Sequence, residues 1–122
     1  MVAIHERQIG DITVLRPDGR LVLSENPTDA VIKDRVDALL QQGRTLFMLD
    51  LTHVSHVDTS GLTALVGAYI AVRKRGGRIA LLSSSQRVRE LLAVTRLNSF
   101  LDVFESETAA AESFAATPPS RP

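Results

Sequence analysis

The chain has 122 residues, 44% of them hydrophobic, and its 14 basic residues balance its 14 acidic ones. This length and composition predict one globular domain with a single core. The charge balance argues against nucleic acid or an anionic membrane surface as the main partner, because both require a surplus of positive charge. The lack of cysteine excludes disulfides, thiolate metal sites and cysteine catalysis.

The N-terminal segment predicts neither export nor membrane insertion. Charged residues interrupt its apolar residues within the first ten positions, which is unlike a signal peptide. No apolar run in the chain approaches the roughly 20 residues of a membrane span. We therefore expect a cytoplasmic protein without direct membrane insertion.

The first elements predicted along the chain are short strands. Residues 2–9 and 12–15 are predicted to form two strands joined by a turn at Gly10-Asp11. Asp18-Gly19 predicts a second turn, which would precede a short strand over residues 21–23.

A helix follows these strands and has clear end signals. Asn26 is a suitable N-cap, Pro27 suits the first helical position, and Gly43 marks the end. Its apolar stripe consists of Ile32, Val36, Leu39 and Leu40.

The rest of the chain alternates between strands and helices. The predicted order is a strand over 46–51, a helix over about 60–75, a strand over 78–82, a helix capped by Ser84 or Ser85, a short strand over 101–104 and a helix over 107–116. Alternation of this kind predicts a mostly parallel sheet, here flanked by an antiparallel N-terminal hairpin. Residues 1–116 would form one domain, and the proline-rich tail over 117–122 is expected to be disordered.

The junction between the strand ending at residue 51 and the next helix carries the most informative residues. Asp58, Thr59, Ser60 and Gly61 place an acid and two hydroxyls where the helix begins. The first N–H groups of a helix lack intrahelical partners and carry the positive end of its dipole, which suits a capping hydroxyl, a phosphate or another anion. The residues alone leave an N-cap and a switch site both open.

The order of motifs from about residue 12 to residue 116 resembles the STAS domain of the bacterial anti-sigma factor antagonists. The shared features are an apolar strand ending in Asp-Leu-Thr, two spaced aliphatic residues, an acid–hydroxyl–hydroxyl–Gly-Leu run, a Gly-Gly turn and a Val-x-x-Leu-Leu-x-x-x-x-Leu helix. In this chain they are Asp50-Leu51-Thr52, Val54 and Val57, Asp58 to Leu62, Gly76-Gly77 and Val88 to Leu97.

The resemblance implies an α/β fold: a single STAS-like domain with a central mixed sheet. About four helices would pack mainly on one face, because short amphipathic helices must cover an apolar sheet face. We expect the helix at the motif to begin within two residues of Thr59 and to bury Leu62.

The resemblance also implies a non-catalytic, partner-switching role. Such a domain, when unmodified, binds an anti-sigma factor that is also a serine/threonine protein kinase and so frees the sigma factor; phosphorylation ends the binding. The residue after the acid is the acceptor, which is Thr59 here, with Ser60 a less favoured candidate. Asp58, Thr59, Ser60 and Gly61 would contact the partner. A phosphatase is a further expected partner, and no cofactor or metal is expected.

Two positions depart from the usual pattern of the antagonists. The acceptor position has Thr59 where Ser is usual, which adds a β-branched methyl group. Gly19-Arg20-Leu21-Val22 stands where Gly-Glu-Leu-Asp is usual, so the acidic residue of that motif is missing.

Two other clusters have simpler structural interpretations. His53, His56 and Asp58 could ligate a metal, but the resemblance implies that Val54 and Val57 take core-facing positions, which would leave both histidines in solvent. Arg73-Lys74-Arg75 with Arg78 could bind phosphate, yet cations before Gly76-Gly77 are typical of a helix C-terminus. Likewise, Ser83-Ser84-Ser85 is interpreted as a turn and cap.

Catalytic motifs are missing from the sequence. Ser60 lies in no Gly-x-Ser-x-Gly elbow and has no evident base, and neither phosphate-binding glycine motif occurs. We therefore predict that the protein is not an enzyme. Two alternatives remain open: a STAS accessory subunit of a lipid or solute transporter, using Asp58-Thr59 as a contact, and a stressosome-type scaffold domain.

Overall fold

The structure is a computed structural model that describes residues 3–21, 28–57, 59–83, 86–99 and 101–116. In chain order, the elements within these residues are β1 (Ala3–Ile9), β2 (Ile12–Leu21), α1 (Thr28–Gln41), β3 (Leu46–Asp50), β4 (Val54–Val57), α2 (Thr59–Lys74), β5 (Arg78–Leu82), α3 (Gln86–Val94), β6 (Asp102–Phe104) and α4 (Glu107–Ala116). The predicted caps Asn26, Ser84 and Ser85, residue Pro27 and the tail over 117–122 lie outside the described residues.

The strands form one mixed sheet, which confirms the predicted fold class. Their order is β1-β2-β3-β5-β6, and β4 pairs separately with β2. Strand β1 is antiparallel to β2, whereas the other pairings are parallel. Helical crossovers between parallel strands account for the alternation seen in the sequence.

The turn predicted at Asp18-Gly19 is wrong, because β2 continues through both residues to Leu21. Gly19 has a φ of 111°, which glycine adopts without a Cβ penalty, and it pairs with Val54 of β4. The register shifts there: Arg20 pairs with His56, so Ser55 has no opposite residue. Glycine here accommodates a bulge within a strand rather than a chain reversal.

The central strands of the sheet have apolar residues at consecutive positions, without alternating polar ones. Both faces of the sheet are therefore buried. In β3, the neighbours Phe47 and Met48 point to opposite faces and both are fully buried. Phe47 belongs to the larger cluster, formed with α1, α2 and α3, and Met48 to the smaller one, formed with Ala110 of α4. Three helices therefore cover one face, as expected, and α4 covers the other.

The C-terminus of α2 is closed by two glycines with different roles. Gly76 has a φ of 75° and donates its N–H to the Arg73 carbonyl at 3.0 Å, while the Gly77 N–H reaches the Val72 carbonyl at 2.9 Å. This pair of bonds is a Schellman motif, which satisfies carbonyls that the helix leaves free. A Cβ on Gly77 would lie 2.2 Å from the Thr45 carbonyl oxygen, so only glycine fits this close approach.

We predict that Gly77→Ala lowers the free energy of unfolding by about 1–3 kcal/mol, because the added Cβ forces two backbone segments apart. The control is Gly67→Ala within α2, where a Cβ would meet only the Lys33 Cδ at an ordinary 3.8 Å. That control should be neutral or more stable by about 0.5–1 kcal/mol. Urea unfolding of both variants measures the difference, and equal midpoints would contradict the prediction.

Candidate functional site

The sequence-predicted site lies where β4 passes into α2. Strand β4 ends at Val57 and α2 begins at Thr59, which confirms the predicted helix start. Leu62, one turn later, is buried in the larger core cluster, as expected. Asp58 and the side chains of Thr59 and Ser60 lie outside the described part of the structure, and of Gly61 only the helical backbone is described. The backbone thus places Thr59 and Ser60 in the first turn of a helix anchored by its core face.

This junction belongs to the edge of the sheet where the parallel strands end. Strands β2, β4, β5 and β6 precede α1, α2, α3 and α4 respectively, so the N-termini of the four described helices face this same edge. Helix N-termini carry partial positive charge and unpaired N–H groups. Ligands of open α/β sheets also bind at this edge. The location therefore favours contact with an anionic group.

Asp50 shapes the turn that leads from β3 to β4. The residue is only 6% exposed, and one oxygen of its carboxylate accepts the Thr52 N–H at 3.0 Å and the Thr52 hydroxyl at 2.6 Å. This is an Asx turn, in which the side chain replaces a backbone acceptor. Asp50 and Thr52 of the Asp-Leu-Thr motif thus redirect the chain toward β2.

Strand β4 pairs with β2, and backbone hydrogen bonds fix the segment that leads into it. The Gly19 N–H donates to the His53 carbonyl at 3.1 Å, and the Leu51 N–H donates to the Leu82 carbonyl at 2.7 Å. Val54 donates its N–H to the Leu51 carbonyl at 3.1 Å and is itself buried. The segment before Thr59 is therefore fixed by pairing and burial rather than by the site residues themselves.

Three cationic or titratable side chains contact the carboxylate of Asp18 near the start of β4. It lies 2.9 Å from the His5 Nε2, 3.2 Å from the Arg16 Nε and 3.5 Å from the His53 Nδ1. These groups come from β1, β2 and the turn before β4, so the cluster ties that turn to the edge of the sheet. Sequence reasoning missed it, because no local pattern relates residues 5, 18 and 53.

Two ion pairs neutralise other carboxylates at this edge. Arg89 of α3 pairs with Glu105, and Arg7 of β1 pairs with Glu107 at the start of α4. The hydrogen bond to Glu107 raises the pKa of the Arg7 guanidinium above its ordinary value, against a lowering by burial, and the negative potentials of Glu107 and Asp50 add to the rise. Both guanidinium groups are thus engaged within the protein.

The alternative metal site receives no support from the described residues. His53 is exposed, as expected, but its ring faces Asp18, which already accepts a bond from Arg16. The side chain of His56 lies outside the described part. Among the described residues, no group of three histidine, aspartate or glutamate side chains could hold a metal ion.

The fold separates Arg78 from the other three residues of the basic cluster at the end of α2. Arg73, Lys74 and Arg75 are exposed in the last turn and the cap, at the end of the helix remote from Thr59. Arg78 instead lies 5.2 Å from the centroid of the Phe114 ring and donates to the Ser113 carbonyl at 3.3 Å. It therefore anchors α4 by a cation–π contact and takes no part in a phosphate patch.

Within the described ranges, no helix is both long enough and apolar enough to cross a bilayer.

Comparison with known proteins establishes the family of this chain. The model of the STAS domain family matches residues 3–110. The chain belongs to the STAS domain family.

The curated relatives are named as regulators. The anti-sigma-B factor antagonist of Bacillus subtilis is 33% identical over 73 residues, covering 60% of this chain and 66% of the relative. The protein of the same name from Listeria monocytogenes is 28% identical, covering 59% of this chain and 63% of the relative. The chain thus spans just under two thirds of the length of these relatives. No curated name among them describes catalysis.

Solved structures share the fold at low identity. An anti-sigma factor antagonist from Mycobacterium paratuberculosis superposes with a TM-score of 0.80 at 15% identity, covering 93% of both chains. A sulfate transporter family protein from Wolinella succinogenes superposes with a TM-score of 0.69 at 20% identity, covering 89% of this chain and 91% of that one. The fold therefore occurs in two kinds of protein, and the site residues must distinguish between their functions.

We predict that Asp50→Ala lowers the free energy of unfolding by about 1–3 kcal/mol, because the Thr52 N–H and hydroxyl lose their acceptor in a buried turn. Asp50→Asn is the matched control, since its amide oxygen can still accept both bonds, and its loss should be smaller. Chemical denaturation measures both variants. Equal losses in the two would show that the charge, and not the Asx turn, is what Asp50 contributes.

Proposed function

We propose that this protein is a cytoplasmic anti-sigma factor antagonist. Unmodified, it binds an anti-sigma factor with serine/threonine kinase activity, and phosphorylation of Thr59 by that kinase ends the binding. One observation carries the proposal: in a STAS domain whose relatives are named anti-sigma antagonists, Thr59 is the first residue of α2, at the edge where the parallel strands end.

The position of Thr59 suits a phosphate. Phosphorylation adds about −1.5 to −2 charges and three acceptor oxygens. At the first turn of α2, these oxygens would meet free N–H groups and the positive end of the helix dipole. The helix is held by Leu62 and Leu65, which are buried in the larger core cluster, and the modification adds its charge at the first helical residue instead of within that core. The switch therefore acts through the surface that the partner contacts.

A phosphate at this surface would end binding for an electrostatic reason. An interface formed around a neutral hydroxyl provides no cation for a new dianion, and burying an unpaired charge is strongly unfavourable. Three described guanidinium groups near this edge, those of Arg7, Arg16 and Arg89, are already paired with Glu107, Asp18 and Glu105. Within the described part of the chain, these paired groups are therefore not free to neutralise the phosphate against a partner.

The neighbouring residues have supporting roles in this proposal. Asp58 adds negative potential and holds the loop before the helix. Ser60 lies one position further into the helix, farther from the residues that precede it. Gly61 allows close approach of the partner or of the phosphate. Thr59, nearer to the non-helical side, is therefore the preferred acceptor.

We predict a single phosphorylation that depends on Thr59. The kinase, identified by pull-down from the native cell extract, should transfer one phosphate to the wild-type protein and to Ser60→Ala. It should transfer none to Thr59→Val, which keeps the β-branched shape without the hydroxyl. Intact-protein and phosphosite mass spectrometry measure both. Phosphate found on Ser60 would overturn the residue assignment, and equal kinase binding by modified and unmodified protein would overturn the switch.

We also predict that Thr59→Glu weakens kinase binding with little effect on folding. A single charge at a helix start changes the free energy of unfolding by only about 0.3–1 kcal/mol. The control is Thr63→Glu, which adds the same charge to an exposed position one turn later in α2. Titration calorimetry with the kinase should show a loss of affinity for Thr59→Glu alone. An equal loss for both variants would indicate a general charge effect instead of a site at the helix start.

A further inference from the structure

A groove between α1 and α2 lies at the end of α2 remote from Thr59. It measures about 380 Å³. On α2 it is lined by Gly67, Ile70 and Ala71, and Leu40 of α1 contributes to its floor. Gly67 adds no side chain to the groove, and a Cβ placed there would meet only the Lys33 Cδ, at 3.8 Å. The two helices thus frame an open, apolar-floored surface, here called the α1–α2 groove.

Helix α2 has more apolar residues than its packing against the sheet requires. Buried Leu65, Ala68 and Val72 already anchor the helix to the sheet. Gly67, Ile70 and Ala71 form a second stripe with the same helical spacing, and Ile70 is 47% exposed. The sequence carries no charged residue from Thr59 to Val72, so the solvent side of this helix is uncharged for most of its length. An exposed apolar stripe of this kind is typical of an interaction surface.

The rim of the groove is positively charged. Lys33, Lys74 and Arg75 line it, against the single carboxylate of Asp37. That carboxylate is already engaged by the Lys33 ammonium at 2.9 Å. Neither Lys74 nor Arg75 makes a salt bridge with any carboxylate in the described part of the chain. The rim therefore offers two cations for an anionic partner.

We infer that the α1–α2 groove binds an amphipathic helix of a partner protein, with large apolar side chains on one face and carboxylates beside them. The apolar face would cover Ile70 and Ala71, and the carboxylates would pair with Lys74 and Arg75. Helix-in-groove recognition depends on anchors at this i, i+3, i+4, i+7 spacing. Charge selects this occupant over a second copy of the chain, because symmetric pairing of two grooves would bring the same cations together.

This surface is separate from the proposed kinase contact. Thr59 and Lys74 are the first and last residues of α2, so the two surfaces lie at opposite ends of one helix. The protein could hold an acidic partner helix at one end while its other end is modified. Binding at the groove is therefore testable whether or not Thr59 is phosphorylated.

The test uses the full chain and two synthetic helical peptides of about 15 residues, long enough to form helix in part. One carries leucines at i, i+3, i+4 and i+7 with glutamates beside them; the other has lysine in place of each glutamate. Amide shifts in nuclear magnetic resonance spectra should localise the acidic peptide to Ile70, Ala71 and Lys74. The affinity should fall with added salt, because exposed charges are screened.

Matched variants separate the contributions of floor and rim. Ile70→Ser and the double variant Lys74→Glu/Arg75→Glu should each weaken binding of the acidic peptide about tenfold or more. Val94→Ser removes an even more exposed aliphatic residue, on α3, and Arg73→Glu reverses a neighbouring charge that does not line the groove. These two controls, and Thr59→Glu, should bind like the wild type.

Three outcomes would overturn the inference. The first is the absence of localised shifts at the groove in the wild-type protein. The second is equal binding of the acidic and the lysine peptides. The third is concentration-dependent self-association in sedimentation experiments that Ile70→Ser abolishes, since the groove would then be occupied by a second copy. Thermal melts of each variant establish that it is folded before binding is compared.

Discussion

Strand β2 pairs with three other strands, and the rest of the structure depends on this pairing. Its first half pairs with β3 and its last three residues pair with β4, while β1 pairs along most of its length. Each of these strands must satisfy its backbone N–H and C=O groups, and β2 supplies partners on both sides. The chain leaving β3 is therefore drawn back to the end of β2 before it can enter α2, and this pairing sets where α2 begins.

The turn between β3 and β4 makes that path possible. Asp50 supplies the acceptor that Thr52 needs, and the Asp18 cluster holds the following residue, His53, against the sheet edge. The bulge at Ser55 and the positive φ of Gly19 accommodate the register shift between β2 and β4. Each salt bridge of the cluster is partly exposed and contributes about 1 kcal/mol or less, so backbone pairing and the burial of Val54 provide most of the restraint.

Helix α2 joins two surfaces of different chemistry. Its N-terminus has the positive end of the helix dipole and small hydroxyl residues, whereas its C-terminal half has apolar side chains bordered by cations. A helix of 16 residues packed along one face on the core keeps these surfaces at a fixed separation. Because the same fold is shared with a sulfate transporter family protein, such surfaces, and not the fold, must determine what this chain does.

The sequence by itself determined the features that depend on neighbouring residues. The apolar runs of β3 and β5, the glycine ends of α1 and α2 and the start of α2 at Thr59 were all predictable, because propensity, capping and periodicity act over a few positions. Only the tertiary structure decided the pairing of β4 with β2, the continuation of β2 through Gly19, the Asp18 cluster and the contact of Arg78 with Phe114. Those features join segments far apart in the chain, and their hydrogen bonds and charges exist only once the sheet has brought the segments together.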